Sequence, residues 1–403
     1  MHIAFFTDQH PASLGGLQVS LSLQRTHLEQ RGHTVSVCAP KSRHRPSPQF
    51  AREHDVLVGS LPIGEHAFSA AGARFDAAID RAFARRAPID CVHVQGDVWG
   101  AWNGYRFAER HHLPLVHTMH TNIEVGLPAI LPFPKTVFRM MFAAQERYLR
   151  TSKINSIADY TRAFAERADV LVAPSSHFAE RLRSYGIEEN IVVLPTGVDD
   201  ALAEAVRARP HTPTATPVLV WPGRISQEKR LGDFLAAFAR ADVAADVHVY
   251  GSGSELAAAQ RQAAALGIAP RVRFFGAVPH HAVLWAMRDA DAVVQSSLGY
   301  ETQGLTVYEA VTVGTPVILR DRNIGRDLPE HLRFAAPDDS IDAFAATIRR
   351  FLGERENAPA VERPSDAFLQ STLTLRAETL YRHAQELHRM RGASNPRGLP
   401  YAV

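Results

Sequence analysis

The chain has 403 residues, of which 46% are apolar and 21% are charged, and this composition excludes an intrinsically disordered chain. The length exceeds one ordinary core, so two domains of roughly 150–200 residues are expected. A formal net charge of +2 gives no indication of a nucleic-acid partner. No run of 18 apolar residues occurs, and the two cysteines, Cys38 and Cys91, are too few for a disulfide framework or a four-ligand zinc site. A reducing, cytoplasmic location is therefore expected.

Short apolar runs alternate with amphipathic segments through the first half of the chain. Six of these runs are rich in Val and Ile and bounded by turn-forming residues, which predicts buried parallel strands. The predicted strands are His2–Thr7, Thr34–Ala39, Cys91–Gln95, Leu115–Met119, Val170–Pro174 and Ile191–Pro195. The pattern over Leu17–Arg31 predicts a helix that Gly32 ends. Strands that alternate with helices indicate a doubly wound sheet.

The composition changes at residues 207–217, where three prolines and few apolar residues indicate a linker. Beyond it the alternation resumes, with predicted strands Val218–Trp221, Val247–Tyr250, Val272–Phe275, Ala292–Gln295 and Pro316–Leu319. A long helical pattern follows near Leu373–Met390. The predicted organisation is thus a Rossmann-like domain over 1–206, the linker, a second such domain over 218–372, a helix over 373–391 and a tail over 392–403.

The first candidate motif follows the first predicted strand, where a loop leads to Gly15 and Gly16 before a helix. Ligands of open α/β sheets bind at the carboxyl ends of strands, and paired glycines let a ligand approach the backbone. The helix start also offers N–H groups to an anion. A plain loop-to-helix turn explains the pair equally well. The spacing does not match G-x-G-x-x-G, which argues against a nicotinamide dinucleotide.

A second motif follows the strand Val218–Trp221. Arg224 and Lys229 lie just beyond its carboxyl end. A forked guanidinium and a compact ammonium together suit a diphosphate. A solvated basic turn is the alternative interpretation.

Two carboxylates, Glu301 and Glu309, stand eight residues apart on either side of Gly304. A helix predicted to start near Leu305 and Thr306 would present free N–H groups to a phosphate. The flanking carboxylates could then accept hydrogen bonds from sugar and ribose hydroxyls. Without such a ligand they would be an exposed loop acid and a surface helix acid.

Taken together, these motifs resemble the retaining GT-B glycosyltransferases of family four, also called group 1 glycosyltransferases. The resemblance rests on Gly-Arg-x-Ser-x-Glu-Lys-Arg at 223–230, Glu-x7-Glu at 301–309 and Gly-Thr-Pro-Val at 314–317. Gly-Ser-Gly at 251–253 and the Gly15-Gly16 pair fit the same family. The resemblance covers about residues 1–390, and the second half is the more specific.

The resemblance implies a set of positions that bind a nucleotide-sugar donor. These positions are Gly15, Gly16, Arg224, Lys229, Gly251, Val278, Glu301, Gly304, Leu305, Thr306 and Glu309. Arg224 and Lys229 would hold the diphosphate, together with the N–H groups after Gly304. Glu301 would contact the donor sugar and Glu309 the ribose hydroxyls, while the turn that contains Val278 would line the base.

His120 follows the predicted strand Leu115–Met119 and matches the family's histidine at the reacting sugar. With Arg224, Lys229 and Glu301 it completes the catalytic set that the resemblance implies. A structural, hydrogen-bonding histidine is the alternative. The family uses no metal, and no Asp-x-Asp or His/carboxylate cluster accompanies the phosphate motifs, so no metal or cofactor is expected.

The implied fold is GT-B, with two Rossmann-like domains facing each other across a cleft that closes on the donor. The implied activity is retaining, metal-independent transfer of a hexosyl unit from a UDP- or GDP-sugar to a lipid-linked or small-molecule glycan acceptor. A sugar-nucleotide 2-epimerase or hydrolase of the same architecture and a non-catalytic nucleotide-sugar-binding partner are the alternatives.

Two basic stretches bear on the acceptor. Residues 41–48 form a basic loop, and residues 132–153 combine aromatic and Met side chains with Lys and Arg. The second stretch suits peripheral contact with an anionic bilayer on the inner face of the cell membrane, or a greasy acceptor groove. A core-packed amphipathic helix with solvated arginines is the other interpretation.

Overall fold

The computed structural model describes residues 1–13, 16–41, 52–63, 66–130, 133–188, 190–209, 215–355 and 364–394. The chain divides into two compact units. Unit 1 comprises Met1–Pro195 and Leu373–Val403, and unit 2 comprises Thr196–Thr372. Each unit contains one parallel sheet with flanking helices, which confirms the predicted α/β class.

Unit 1 is built on seven parallel strands and a small antiparallel pair. The strands are β1 (His2–Thr7), β2 (Thr34–Pro40), β3 (Val56–Val58), β4 (Leu61–Ile63), β5 (His66–Phe68), β6 (Cys91–Gln95), β7 (Leu115–Thr118), β8 (Val170–Ala173) and β9 (Ile191–Val193). The main sheet has the order β3-β2-β1-β6-β7-β8-β9, and β4 pairs with β5. The helices are α1 (Gly16–Gln30), α2 (Ala73–Phe83), α3 (Trp99–His111), α4 (Ile123–Ile130), α5 (Pro134–Leu149), α6 (Ile157–Ala165) and α7 (Ser176–Ser184).

The central strand β1 shows why the strands of unit 1 are continuous apolar runs. Ala4 and Phe6 point into one core cluster, whereas Ile3 and Phe5 point into another on the opposite face. All four side chains are fully buried. Successive side chains of a strand point to opposite faces, so a strand covered on both faces has no polar alternation.

Unit 2 repeats this arrangement with six parallel strands. The strands are β10 (Val218–Pro222), β11 (Asp246–Tyr250), β12 (Val272–Gly276), β13 (Ala292–Gln295), β14 (Val317–Leu319) and β15 (Arg333–Ala335), in the order β12-β11-β10-β13-β14-β15. The helices are α8 (Asp200–Arg207), α9 (Leu231–Ala241), α10 (Leu256–Ala265), α11 (His280–Asp289), α12 (Leu305–Thr312) and α13 (Ile341–Arg355). Leu219 and Trp221 of β10 pack on one face, and Val218 and Val220 on the other.

Along the chain, unit 1 ends at Pro195 and unit 2 begins at Thr196, before the predicted boundary at residue 206. The reason is α8, which packs into unit 2. Val206 is fully buried in a core cluster of unit 2, and the Arg207 guanidinium donates to the Thr312 carbonyl at 2.7 and 2.9 Å. The segment before the predicted linker is therefore part of unit 2.

Several predicted features lie wholly or partly outside the described residues. These are Gly15, most of the basic loop at 41–48, position 132, the middle of the linker at 210–214 and the tail beyond 394.

Helix α14 (Gln370–Ser394) is longer than the predicted helix 373–391 and packs on unit 1 from Leu373 onward. Leu373, Ala377 and Tyr381 are buried in the same core cluster as Ile3. Glu378, on this helix, accepts hydrogen bonds from the Arg31 guanidinium and lies 3.0 Å from His33 Nε2. These contacts tie α14 to the end of α1 and the start of β2.

We expect the Glu378 cluster to make the stability of unit 1 sensitive to acid. The bond from Arg31 lowers the pKa of Glu378 from about 4.5 to about 2. A depressed carboxyl pKa stabilises the fold above its unfolded value, and this stabilisation is lost as the pH falls from about 4.5 to about 2. Glu378→Gln should therefore unfold at lower denaturant than the wild type at pH 7, and this difference should shrink on acidification.

The control is Glu386→Gln, which removes an exposed carboxylate from the same helix. A constant difference between Glu378→Gln and the wild type across this pH range would contradict the assignment.

Candidate active site

The described site residues lie in loops that follow the carboxyl ends of strands or in the helices after these loops, and Lys229 and Glu301 follow the two strands at the topological switch point of unit 2. In unit 1, β1 lies between β2 and β6, and in unit 2, β10 lies between β11 and β13. At such points the connections leave in opposite directions and open a crevice for ligand. Each unit has its own set of polar side chains at this edge.

Lys229 and Glu301 form the centre of the site in unit 2. Lys229 follows β10 and Glu301 follows β13, and Lys229 Nζ donates to Glu301 Oε1 at 2.6 Å. The Ser297 hydroxyl donates to the same oxygen at 2.8 Å. The ammonium also lies 5.5 Å from the centre of the Tyr300 ring. The structure thus brings together two residues that are 72 positions apart in the chain.

A chain of hydrogen bonds fixes this pair to the sheet. Trp221, a buried side chain near the end of β10, donates from Nε1 to Ser296 Oγ at 2.8 Å. Ser296 Oγ in turn donates to the Lys229 carbonyl at 2.8 Å. The backbone at Lys229 is therefore held against the end of β13, which places the ammonium beside Glu301.

Arg224 has a more open position. Its side chain is 64% exposed, and Nε lies 3.9 Å from Glu228 Oε1. It follows Gly223, whose N–H donates to the Tyr250 carbonyl at the end of β11. The guanidinium is accessible to an anion from solvent.

Gly251 is required for the packing of the strand-end loops. A Cβ at this position would lie 1.8 Å from the Gly223 carbonyl oxygen, and its φ of +136° disfavours any other residue. The Gly251 N–H donates to the Gly276 carbonyl at 2.8 Å. Through these contacts the turn that contains Val278 is joined to the loop that carries Arg224.

The start of α12 has the geometry of an anion site. Gly304 precedes it with a φ of +80°, which glycine adopts without strain. Leu305 and Thr306 form the first turn, whose N–H groups have no intrahelical partners. Glu301 precedes this turn, so a phosphate at the helix start would lie close to the Lys229–Glu301 pair.

Glu309 lies one turn further along α12, and its side chain is only 6% exposed. His280, the first residue of α11, places Nε2 2.6 Å from Glu309 Oε1. This bond raises the pKa of His280, against the opposing effect of its partial burial. His280 was not predicted, because no local sequence pattern indicates which residue a histidine after a turn will contact.

In unit 1, His120 lies just beyond β7. Its Nε2 donates to Gln95 Oε1 at 2.8 Å, and Gln95 Nε2 donates to Gln24 Oε1 at 2.6 Å. Burial lowers the pKa of His120 to about 4, while the Asp97 carboxylate opposes this effect. The imidazole is therefore neutral at pH 7, a form that can hydrogen-bond to a sugar hydroxyl.

His117 lies on β7, three residues before His120. It is fully buried, with Nε2 2.8 Å from the Gly96 carbonyl and Nδ1 2.9 Å from the Tyr105 hydroxyl. Both ring nitrogens are used within the fold. His117 is a structural residue.

Two acids that sequence reasoning did not select lie at the same edge. Asp8 follows β1 and accepts backbone N–H groups of Asp97, Val98 and Gly100 at 2.6–3.3 Å. Burial and the Asp97 charge raise the pKa of Asp8 to about 7, although these donors oppose the shift. Asp97 Oδ2 accepts the Thr121 N–H at 3.0 Å and so fixes the backbone next to His120.

Gly16 begins α1, and an added Cβ there would meet no atom within 4 Å. Packing therefore does not require glycine at this position, and the role of Gly16 in letting a phosphate approach the backbone stays a prediction. Gly15 lies outside the described residues.

Helix α5 packs by one face and exposes the other. Met141, Gln145 and Leu149 are buried, as their spacing of four residues predicts. On the outer side, Met140 is 68% exposed, and Phe133, just before the helix, is 81% exposed. The buried face supports the core-packed interpretation of the stretch 132–153, and contact of its apolar outer surface with a bilayer or an acceptor stays a prediction.

Within the described parts of the chain, no group of three or more His, Cys, Asp or Glu side chains is arranged to hold a metal ion. In the same parts, none of the helices has the length and hydrophobicity needed to span a bilayer.

Comparison with known proteins decides the family. The family model "Glycosyltransferase Family 4" matches residues 14–202, and "Glycosyl transferases group 1" matches residues 203–364. A D-inositol 3-phosphate glycosyltransferase from Geodermatophilus obscurus is 30% identical over 376 residues, which are 85% of this chain and 78% of that protein. The chain belongs to glycosyltransferase family 4. The predicted resemblance is confirmed, and the protein is a glycosyltransferase.

One further protein sequence and one solved structure are similar to this chain. The alpha-monoglucosyldiacylglycerol synthase of Streptococcus pneumoniae is 25% identical over 334 residues, covering 79% of this chain and 70% of that protein. The structure of sucrose-phosphate synthase from Thermosynechococcus elongatus superposes with a TM-score of 0.70 at 21% identity, covering 95% and 98% of the two chains. The latter similarity supports the GT-B fold.

We predict that His120 of this family 4 glycosyltransferase stays neutral at every pH above about 5, because burial holds its pKa at about 4. Long-range ¹H–¹⁵N spectra of the histidine side chains should show it in the Nε2-protonated form, since Nε2 donates to Gln95. His120→Gln identifies its signals.

His388 provides the contrast in the same spectra. Its hydrogen bond with Asp169 raises its pKa above the usual value. A titration midpoint of His120 at or above that of His388 would contradict the assignment.

Proposed function

We propose that the enzyme is a retaining glycosyltransferase that moves a hexosyl unit from a UDP- or GDP-sugar to a lipid-linked or small-molecule glycan acceptor. The observation that carries the proposal is the Lys229–Glu301 pair, which joins the ends of β10 and β13 at the switch point of unit 2. A cation for phosphate and a carboxylate for sugar hydroxyls are thereby placed side by side.

In this proposal the donor diphosphate binds to Lys229, Arg224 and the helix start at Gly304. Lys229 is already fixed by the Ser296 bond, whereas the exposed Arg224 can close on the diphosphate from solvent. The N–H groups of the first turn of α12 add the partial positive charge of a helix amino end.

The remaining donor contacts follow from the same placement. Glu301 accepts hydrogen bonds from the transferred sugar, and Glu309 accepts them from the ribose. The turn that contains Val278 lines the base, held in place by the Gly251–Gly276 bond. For unit 1, the proposal assigns Gly15 and Gly16 to the donor phosphates and His120 to the reacting sugar.

Retention in this proposal proceeds by attack from the face of the departing phosphate. The acceptor hydroxyl oxygen bonds to the anomeric carbon as the bond from that carbon to the diphosphate oxygen breaks. The acceptor proton passes to the leaving phosphate. Lys229, Arg224 and the α12 N–H groups offset the charge that develops there, so the proposal requires no metal ion.

His120 would act by hydrogen bonding in this scheme. A neutral imidazole with a pKa of about 4 carries no charge to pair with phosphate at pH 7. It can still bond to a hydroxyl of the transferred sugar and orient it. Asp97 would support this role through its bond to the Thr121 N–H.

A lipid-linked acceptor is favoured by the outer face of α5. Lys135, Arg139 and Arg147 are exposed there together with Met140, and Phe133 lies next to the helix. Basic and apolar side chains on one exposed face suit an anionic bilayer surface. The similarity to a synthase of a glucosylated diacylglycerol supports the same class of acceptor.

The experiment that tests the function is a donor screen with product analysis. Purified enzyme is incubated with UDP-glucose or GDP-mannose and lipid or glycan acceptors in the presence of EDTA. Acceptor-dependent release of nucleoside diphosphate with an α-linked product supports the proposal. Release without an acceptor would indicate a hydrolase, an epimerised sugar would indicate an epimerase, and activity restored only by Mn²⁺ or Mg²⁺ would refute metal independence.

We predict that Lys229→Ala lowers the affinity for the nucleoside diphosphate by about tenfold or more. The substitution removes a charge-assisted hydrogen bond worth roughly 1.5–3 kcal/mol. Calorimetric titration with UDP or GDP measures the effect. Arg261→Ala is the control, because it removes an exposed charge from α10 of the same unit. Equal affinities of the two variants would remove Lys229 from the donor site.

We also predict that the enzyme binds vesicles that contain phosphatidylglycerol. Replacing Lys135, Arg139 and Arg147 together by Ala should weaken this binding by about a hundredfold, since each basic side chain near an anionic surface contributes about 1 kcal/mol. Co-sedimentation at low and high salt measures the effect.

The matched control replaces three exposed arginines elsewhere, Arg261, Arg273 and Arg389. Loss of vesicle binding in both triple variants would show a non-specific charge effect and refute docking through α5.

A further inference from the structure

Glu309 is a nearly buried carboxylate that forms a hydrogen bond with a half-exposed histidine. The Glu309 side chain is 6% exposed, and its helix neighbours Tyr308 and Ala310 are fully buried. His280 is 52% exposed and lies 2.6 Å from Oε1. A carboxylate in such surroundings is costly unless it is paired, and His280 supplies that pairing.

His280 links two parts of the candidate donor site. It follows Pro279, the last residue of the turn that contains Val278, and so begins α11 directly after the predicted base-lining segment. Its partner lies on α12, 29 positions further along the chain. The imidazole therefore stands between that turn and the carboxylate assigned to the ribose.

Two carboxylates act on the charge of His280. Helices α8 and α12 and strand β10 pack against α11. From α12 the facing charge is Glu309, and Asp199, just before α8, adds a second negative charge. Strand β10, Val218–Pro222, contains no charged residue. The protonated form of His280 is favoured by both acids.

We propose that His280 is a latch on the ribose carboxylate: it occupies Glu309 Oε1 in the donor-free enzyme and is displaced when the ribose hydroxyls of the donor bind. The inference rests on the proposed function, because it takes Glu309 to be the ribose acceptor. A ribose hydroxyl that approaches Oε1 from the side of the ring competes with the imidazole for that oxygen. The half-exposed ring has solvent on one side into which it can turn.

Displacement has a defined dependence on pH. A protonated His280 forms an ion pair with Glu309, and breaking it opposes donor binding. A neutral His280 opposes binding less. Donor affinity should therefore rise with pH through the titration of His280, by at most about tenfold per pH unit, and each donor that binds should release up to one proton.

The experiment measures calorimetric binding of UDP-glucose and GDP-mannose from pH 5.5 to 8, using the donor that binds. A nucleotide-sugar is chosen because its diphosphate has no terminal phosphate that titrates in this range. Titrations in buffers of different ionisation enthalpy count the protons released. His280→Gln is the test variant, since its neutral amide still donates to Glu309 and leaves no unpaired carboxylate.

The expected result is that His280→Gln binds the donor without proton release, with an affinity independent of pH, and more tightly than the wild type at pH 5.5. His281→Ala is the matched control, because His281 packs edge-on against Trp285, 4.8 Å away, and should leave the wild-type pH dependence unchanged.

The variants distinguish failure of the His280 latch from failure of the ribose assignment of Glu309. If His280→Gln keeps the wild-type proton release and pH dependence, the latch is refuted. If Glu309→Gln binds the donor as tightly as the wild type at pH 8, the ribose assignment itself fails. A tenfold or greater loss in Glu309→Gln with an unaltered pH profile in His280→Gln would uphold the donor site and overturn only the latch.

Discussion

Both sheets are parallel and are covered by helices on both faces, and this constraint determines where polar chemistry can lie. The middle of such a strand contacts only apolar side chains, as the four fully buried residues of β1 illustrate. Polar side chains can meet solvent only at the strand ends. The candidate residues Lys229, Glu301 and His120 accordingly follow the ends of β10, β13 and β7.

The same constraint explains why most histidines near the edge of unit 1 are structural. His93 lies inside the sheet, with Nδ1 2.8 Å from the Tyr381 hydroxyl and Nε2 2.7 Å from Thr118 Oγ1. Burial lowers its pKa well below the usual value. His93 thereby links helix α14 to the end of β7, two residues before His120. A buried imidazole that is neutral and doubly bonded positions its neighbours and has no nitrogen left for a ligand.

The strands that hold the site were predictable because each is a compact apolar run that ends in a motif. Strands β3, β4, β5 and β15 were not predicted, since each has only three residues, which carry little pattern to separate a strand from a loop. The two units divide before the predicted boundary at residue 206, because prolines mark a break in secondary structure, whereas α8 joins unit 2 through the side chain of Val206.

For the site, the identities of Lys229 and Glu301 were predictable from their motifs, but their direct pairing was not. It depends on the register of β10 with β13 and on the bond from Ser296 to the Lys229 carbonyl. Asp8 and His280 were missed for a related reason. Asp8 acts on backbone N–H groups about 90 positions away, and no local pattern encodes such a partner.

The two acids of the Glu-x7-Glu motif share one electrostatic arrangement. Each is paired with a cationic or protonatable side chain from a different strand-end loop: Glu301 with Lys229, and Glu309 with His280. A mostly buried carboxylate is costly without such a partner. In the proposed complex, a donor that brings a diphosphate to Lys229 and hydroxyls to both acids would exchange these pairs for new ones. Breaking an existing pair costs binding free energy. A nucleotide or a sugar that bonds to only one of the two acids would therefore bind more weakly than its own contacts suggest. Under the proposed assignment, the arrangement would favour ligands that carry diphosphate, ribose and sugar together.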